Sequence, residues 1–401
     1  MVRAPAADSR LTLVFGNQLM SSAYVSPWAD SDVQIFRSTV RQFIEHEFVP
    51  QQSLWREQRR PTEDAWLKAG AVGLLLPDVP EEFGGGGGTF AHEAVVVEEL
   101  ARAGVPMGTG VQSMVAHYLL RYGSAEQKRR WLPSMASGHV VAAVAMTEPD
   151  AGSDLQALRT TATLDGDTYV LNGSKTFITN GSQAGLILVA ARTDPSAPGP
   201  RALSLIFVER DAVTGFRVGR AIEKLGRHGQ DTCELFFDDV RVPVANRLGP
   251  SAGRGLFQMM EQLIYERLSV GLAGVASAER AIALTTQHVK SRMAYGKPLL
   301  DLQHVRFTLA ECRTDAHVAR VFVDHCIQRF IAGRFDGTTA AMAKYWLTEC
   351  EWRVVDRCLQ LHGGYGYSEE YPIARMWADS RVQRIYAGSN EVMKEVVGWS
   401  L

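Results

Sequence analysis

GLFQMMEQLIYERLSVGLAGVASAERAIA, residues Gly255–Ala283, decides the fold. Its apolar residues recur at three- and four-residue intervals with no proline, which predicts one long helix apolar over a broad arc. Glu266 falls inside it, among Leu263, Ile264, Leu268 and Val270, so its carboxylate is expected to face an interior. Two readings follow. The group is one half of a salt bridge, with Arg267 or another base. Or burial raises its pKa, as a base acting on a weak carbon acid requires. Leu302–Ile331 and Thr338–Leu361 repeat the apolar period, and long helices with short connectors imply an up-and-down bundle.

Upstream, from Val141 to about Pro250, the texture changes to short β-rich runs: Leu186–Ala191, Leu203–Val208 and Cys233–Phe237. Asn172-Gly173 inside Thr168–Thr179 reads as a hairpin turn. Further upstream the pattern is helical again. Ile35, Val40, Phe43 and Ile44 form one apolar face, Pro61-Thr62-Glu63 opens a helix, and Ser124–Gln127 has capping-box spacing. The five glycines Gly84–Gly88 lack the Lys-Ser/Thr of a phosphate loop and read as a flexible connector. The fold class is therefore mainly α with a central β-domain. Residues 1–27 are a disordered leader, 28–142 an N-terminal helical domain, 143–250 a small β-barrel-like domain and 251–401 a C-terminal four-helix bundle. No GxGxxG follows a strand, so a Rossmann domain is not supported.

The 401 residues carry a formal net charge of −2, which gives no field for nucleic acid or an anionic membrane surface. No uninterrupted apolar run reaches the roughly 20 residues of a membrane span. Five cysteines without CxxC spacing predict reduced, buried thiols in a cytoplasmic protein and no metal site. Asp8 and a poor basic region argue against a signal peptide in Met1–Ser26, and Met20 is an alternative start.

Several segments carry polar chemistry. Ala145–Asp154 offers the hydroxyls of Thr147 and Ser153 on an irregular backbone set by Pro149 and Gly152, suited to a polar heterocycle or phosphate. Phe177 beside Thr179 can flank a planar ring. Ser291–Pro298 places basic residues beside an aromatic, a diphosphate contact. The paired glycines of Gln360–Tyr367 allow close approach of a ligand. Arg384–Val392 contains a tight turn at Gly388 and N-cap residues at Ser389 and Asn390, leaving amide N–H groups free for an anion or a polarised carbonyl. Its tip is Ala387, where chemistry would want a side chain.

Taken together, MTEPDAGSD, LNGSKTFITNGS, QDTCELFFDDVRVP, SRMAYGKPL, MAKYW, LQLHGGYGYSEEYPIAR and IYAGSNEVMKE resemble the acyl-CoA dehydrogenase family in order, from about Trp28 to the C-terminus. The likeness is greatest to long-chain-type members. Asp150 stands where the family usually has Gly, and Phe177 where many relatives have Trp. The resemblance implies FAD held non-covalently between the β-domain and the bundle, in a homotetramer built as a dimer of dimers. It implies that Met146, Thr147, Gly152 and Ser153 line the flavin, with Ser153 also near the substrate, and that Phe177 and Thr179 flank its ring. Arg292, Tyr295, Gln303, Gln360, Gly363 and Gly364 would reach the diphosphate and adenosine, partly across a subunit interface, and Ser389 and Glu391 would complete the contacts. One branch of the family moves its catalytic glutamate from the turn to a Glu-Arg-Leu context on the bundle helix, so Glu266 becomes the expected base. Tyr265, Arg267, Ala387 and Gly388 are expected at the acyl-CoA, Arg267 toward the CoA portion, and Phe257 toward the acyl chain. The implied reaction is dehydrogenation of a fatty acyl-CoA to a trans-2-enoyl-CoA, with an electron-transferring flavoprotein as acceptor. An oxidase using O2, or a dehydrogenase of branched or biosynthetic acyl thioesters, fits the same motifs.

Overall fold

The structure, a computed structural model, describes residues 24–194, 196–197 and 199–401. Most of the expected leader therefore lies outside the described residues. Near the start of the described residues the Trp28 indole N–H donates to Asp324 Oδ1 at 2.8 Å.

Six helices form the first layer: α1 (Ser31–Phe43), α2 (Gln52–Gln58), α3 (Glu63–Ala71), α4 (Phe90–Ala103), α5 (Thr109–Tyr122) and α6 (Ala125–Ala136). Thr62 caps α3, and the capping box at Ser124 and Gln127 is closed in both directions. The buried face of α1 is Val33, Arg37 and Val40, continuing to Ile44, whereas Ile35 is 69% exposed. The apolar pattern misplaced this face because one of its members is a cation. Arg37 is buried against Glu98 and Glu99, so charge pairing replaces apolar contact there. Gly84–Gly88 is not a flexible connector. Its amides donate to the carbonyls of Glu81, Pro80, Leu76, Val79 and Pro77 in turn. A Cβ on Gly85 would lie 2.2 Å from the Val79 carbonyl oxygen, so glycine is required by close backbone approach rather than by mobility.

The middle layer is a seven-stranded, mostly antiparallel sheet in the order β1-β4-β2-β3-β7-β6, with β5 paired to β4. The strands are β1 (Ala142–Ala145), β2 (Thr161–Asp165), β3 (Thr168–Thr179), β4 (Leu186–Arg192), β5 (Leu203–Glu209), β6 (Phe216–Ala221) and β7 (Thr232–Pro243). The β2–β3 hairpin turns at Gly166, with φ +63°, and not at Asn172-Gly173. Asn172 and Gly173 lie inside β3 where its register against β7 slips. Gly173 has φ +148°, and a Cβ there would meet Thr160 Oγ1 at 2.5 Å. The dipeptide marks a bulge, the other position where such residues recur in strands.

The last layer holds α7 (Gly255–Ser291), α8 (Gln303–Ile331), α9 (Gly337–Leu361), α10 (Pro372–Ser380) and α11 (Asn390–Gly398). Among the described residues α7 is the one helix long and apolar enough, by length and composition, to cross a membrane. Here it is the inner helix of the bundle, lying against α4, α5, α8 and α9. Its apolarity serves one core shared by the bundle and the N-terminal helices. All five cysteines are buried and unpaired.

Candidate active site

Glu266 is 6% exposed, and its Oε1 has no hydrogen-bond partner among the described residues. Burial drives its carboxyl from 4.5 up to about 7, against the smaller opposing pull of Arg267. The salt-bridge reading therefore fails in its strong form: the neighbouring guanidinium does not offset desolvation. Tyr118 Oη on α5 is also buried without a partner, and burial first and the Glu266 charge second push it well above its ordinary value. Gln262, one helical turn before Glu266, leaves its amide nitrogen unpaired. An orphaned carboxylate oxygen with two further orphaned polar atoms near it suits a bound molecule that contributes polar groups of its own.

Arg267 points to the turn instead of outward. Its Nε donates to the Ala387 carbonyl at 3.4 Å. Ala387 and Gly388 both adopt left-handed backbone, at φ +54° and +88°. Ser389 caps α11 by accepting from Val392 N–H, and the amides of Ala387, Gly388 and Ser389 have no acceptor among the described residues. Behind the turn, the Lys344 ammonium on α9 donates to the Gly388 carbonyl at 2.7 Å and to Asn390 Oδ1 at 2.9 Å. Asn390 in turn donates to Thr348 and Glu349. A paired donor set therefore holds the two carbonyls of a strained turn and turns its amides outward.

On the β-domain side, Lys175 is wholly buried and donates to the Met146 carbonyl at 3.0 Å and to Glu148 Oε1 at 2.8 Å. Burial lowers it from 10.5 to about 8 despite Glu148. Glu148 also accepts the amides of Arg159 and Thr160, and the Thr147 carbonyl takes Thr176 N–H. This fixes the loop that presents Thr147, Gly152 and Ser153. Gly152 and Ser153 are exposed, and nothing lies within 4 Å of where a Gly152 Cβ would stand. Asp150 makes a surface ion pair with Arg159 at 3.2 Å. Phe177 is 63% exposed at φ +58°, one face of an aromatic ring offered to the outside beside partly buried Thr179. An exposed ring, a polar loop, free amides and a dry carboxylate fit a flavin with a thioester against it.

The remaining expected cofactor residues gather elsewhere. Arg292 ends α7 and stacks over Tyr365 at 5.7 Å, while Tyr295 stands 93% exposed on the hairpin that follows. Gln303 opens α8, Gln360 lies at the end of α9, and Gly363 and Gly364 are open on all sides. Glu391 is exposed in the first turn of α11. At 1.5 Å per residue, Arg292 lies about 39 Å along α7 from Glu266, too far for one dinucleotide to touch both sets in a single chain. Phe257 and Tyr265, both expected at the acyl-CoA, face other surroundings. Phe257 precedes Glu266 by nine residues, which turns it about 180° away on the helix; it is 39% exposed beneath Arg254. Tyr265 packs into an aromatic nest of Phe90, His117 and Phe330. Sequence reading passed over Lys344 and Lys175, although a lysine flanked by Ala340–Ala343 and Leu347 is itself a signal of an interior cation.

Family models for the N-terminal, middle and C-terminal domains of acyl-CoA dehydrogenases match residues 30–139, 143–240 and 253–401. The chain is 42% identical over 370 residues to the mitochondrial long-chain specific acyl-CoA dehydrogenase of Sus scrofa, covering 92% of this chain and 86% of that protein. An acyl-CoA dehydrogenase structure from Geobacillus kaustophilus is 45% identical, with TM-score 0.91 over 95% of this chain and 99% of that one. A glutaryl-CoA dehydrogenase from Mycobacterium smegmatis, solved in complex with FADH2, is 26% identical, with TM-score 0.87 over 95% and 96% of the two chains. With three domain matches in order and an oxidoreductase likeness running the length of the described fold, the chain belongs to the acyl-CoA dehydrogenase family.

Proposed function

We propose that this chain oxidises a long-chain fatty acyl-CoA to the trans-2-enoyl-CoA, with Glu266 as the base that takes the α-proton. The observation that carries the reading is the buried, unpartnered Glu266 carboxylate, poised at about 7, with the Ala387–Ser389 turn bound to its neighbour Arg267. The free amides of the turn donate to the thioester carbonyl oxygen and stabilise enolate character, which acidifies the α-hydrogen. Dry surroundings keep Glu266 basic enough to remove that proton onto its carboxylate oxygen. Phe177, Thr179, Met146, Thr147, Gly152 and Ser153 hold the ring of FAD, with Ser389 and Glu391 at the turn. FAD, when bound, supplies the two-electron acceptor for the β-hydrogen. Arg292, Tyr295, Gln303, Gln360, Gly363 and Gly364 serve the diphosphate and adenosine of a second copy, which the length of α7 favours, in a homotetramer. An electron-transferring flavoprotein is the proposed acceptor.

The test is Glu266→Gln, purified with FAD and mixed anaerobically with a panel of acyl-CoA thioesters. Flavin bleaching should slow by about 10²–10⁴-fold, the usual contribution of a positioned base. Bleaching at the wild-type rate would remove Glu266 from the role. In the wild type, a maximum on short, branched or dicarboxylic thioesters would overturn the long-chain assignment alone.

A further inference from the structure

We infer that Lys344 is a positioning residue for enolate formation, holding and polarising the Gly388 peptide so that the turn presents its amides to the thioester. This rests on the function proposed above. Lys344 lies in the middle of α9, wholly buried, between Ala343 and Leu347, which are equally buried. A buried ammonium is normally paired with a carboxylate. Here its two partners are neutral oxygens, the Gly388 carbonyl at 2.7 Å and Asn390 Oδ1 at 2.9 Å. The charged groups around it act in opposite directions: Arg267 from α7 and Arg384 from the turn after α10, against Glu391 on α11 and Glu349 on its own helix. Glu349 is already engaged by Arg384 at 2.9 Å and by Asn390 at 3.0 Å. Burial, then Arg267, bring the ammonium down from 10.5 to about 7, and its charged form is held by two neutral acceptors with no ion pair to offset its burial.

The geometry says what that cation acts on. In a trans peptide the carbonyl and the amide N–H point to opposite sides. An ammonium on the Gly388 carbonyl therefore turns the Ser389 N–H away from α9 and makes it a stronger donor, and Arg267 on the Ala387 carbonyl does the same for the Gly388 N–H. Two cations behind two consecutive left-handed residues fix a conformation that a short turn would not hold alone. Neutralising Lys344 loosens the turn and weakens its donors at the moment the thioester oxygen gains charge, while ground-state binding changes little.

The experiment uses flavin-loaded Lys344→Met and Lys344→Arg. Enolate formation is read apart from oxidation by following exchange of α-hydrogens for deuterium in a 3-thia-acyl-CoA, whose sulfur replaces the β-carbon so that no β-hydride can leave. Lys344→Met should lower the exchange rate by about 10–100-fold, somewhat less than loss of one direct oxyanion donor. The thioester dissociation constant should change by less than about threefold, and Lys344→Arg should recover part of the rate. Exchange within twofold of wild type in flavin-loaded Lys344→Met overturns the inference. Should that variant not hold flavin, Lys344→Gln keeps a donor for the Gly388 carbonyl without the charge. Slow exchange there supports the inference, and wild-type exchange overturns it. If Glu266→Gln exchanges as fast as wild type, the underlying function fails; if Glu266→Gln is inert while Lys344→Met is normal, only the role of Lys344 fails.

Discussion

Replacing Glu266 with Gln should make the protein more stable, and more so as pH rises. In the folded state the carboxyl titrates near 7, against 4.5 when solvated. At about 1.4 kcal/mol per pH unit, holding the ionised form in that place costs about 3 kcal/mol. The sign follows from proton binding. Between about 4.5 and about 7 the folded chain keeps a proton that the unfolded chain has released, so stability falls across that window and stays lower above it. The glutamine amide of the variant does not titrate. The stability of Glu266→Gln minus wild type should therefore be near its low-pH baseline at pH 4.5 and rise by about 3 kcal/mol by pH 8. Urea-unfolding midpoints of the two flavin-free proteins across this range measure the difference. Glu93 and Glu351, also raised to about 8, are common to both proteins and drop out of the comparison. A difference that stays flat with pH, or a variant that is the weaker protein at pH 8, would refute the argument that burial sets the Glu266 pKa.

Lys175→Met strands the buried Glu148 carboxylate and should cost about 3–5 kcal/mol, seen as a lower melting temperature and reduced flavin content, with Glu148→Gln in the same chain restoring much of both. Gly85→Ala drives a methyl into the Val79 carbonyl and should lower the melting temperature by the equivalent of about 1–3 kcal/mol; no change would mean that the glycine coil yields freely.

What the sequence made legible is what local pattern determines. The apolar period of α7 announced both the bundle and the interior place of Glu266, and the Ser124–Gln127 box depends on residues three apart. The failures share a cause. Asn172-Gly173 has the composition of a turn, but Thr160 and the register against β7 decide its use. The glycines at 84–88 look mobile until Val79 and Pro77 lie against them. Ile35 looks more interior than Arg37 until Glu98 and Glu99, some 60 positions on, supply the partner charges. Lys344 acquires meaning only through Gly388, 44 positions away.

Charge pairing satisfies much of the buried charge outside the site. Arg320 is buried among Glu98, Glu279 and Asp324, Arg37 between Glu98 and Glu99, and Lys175 against Glu148. Glu351 has no ion-pair partner among the described residues, but both of its oxygens accept from Gln383, a neutral amide. Glu266 and Lys344 depart from this rule in opposite senses. Among the described residues the carboxylate has no donor at Oε1, and the ammonium has no carboxylate partner. Each is held near 7 by burial, and each would leave a more stable core if made neutral. Both unpaired groups bear on the Ala387–Gly388 turn, Lys344 directly and Glu266 through its neighbour Arg267. A carboxylate without a donor can take a proton, and a cation without a carboxylate keeps its field for the turn it holds. A salt bridge at either position would satisfy the core and end that capacity.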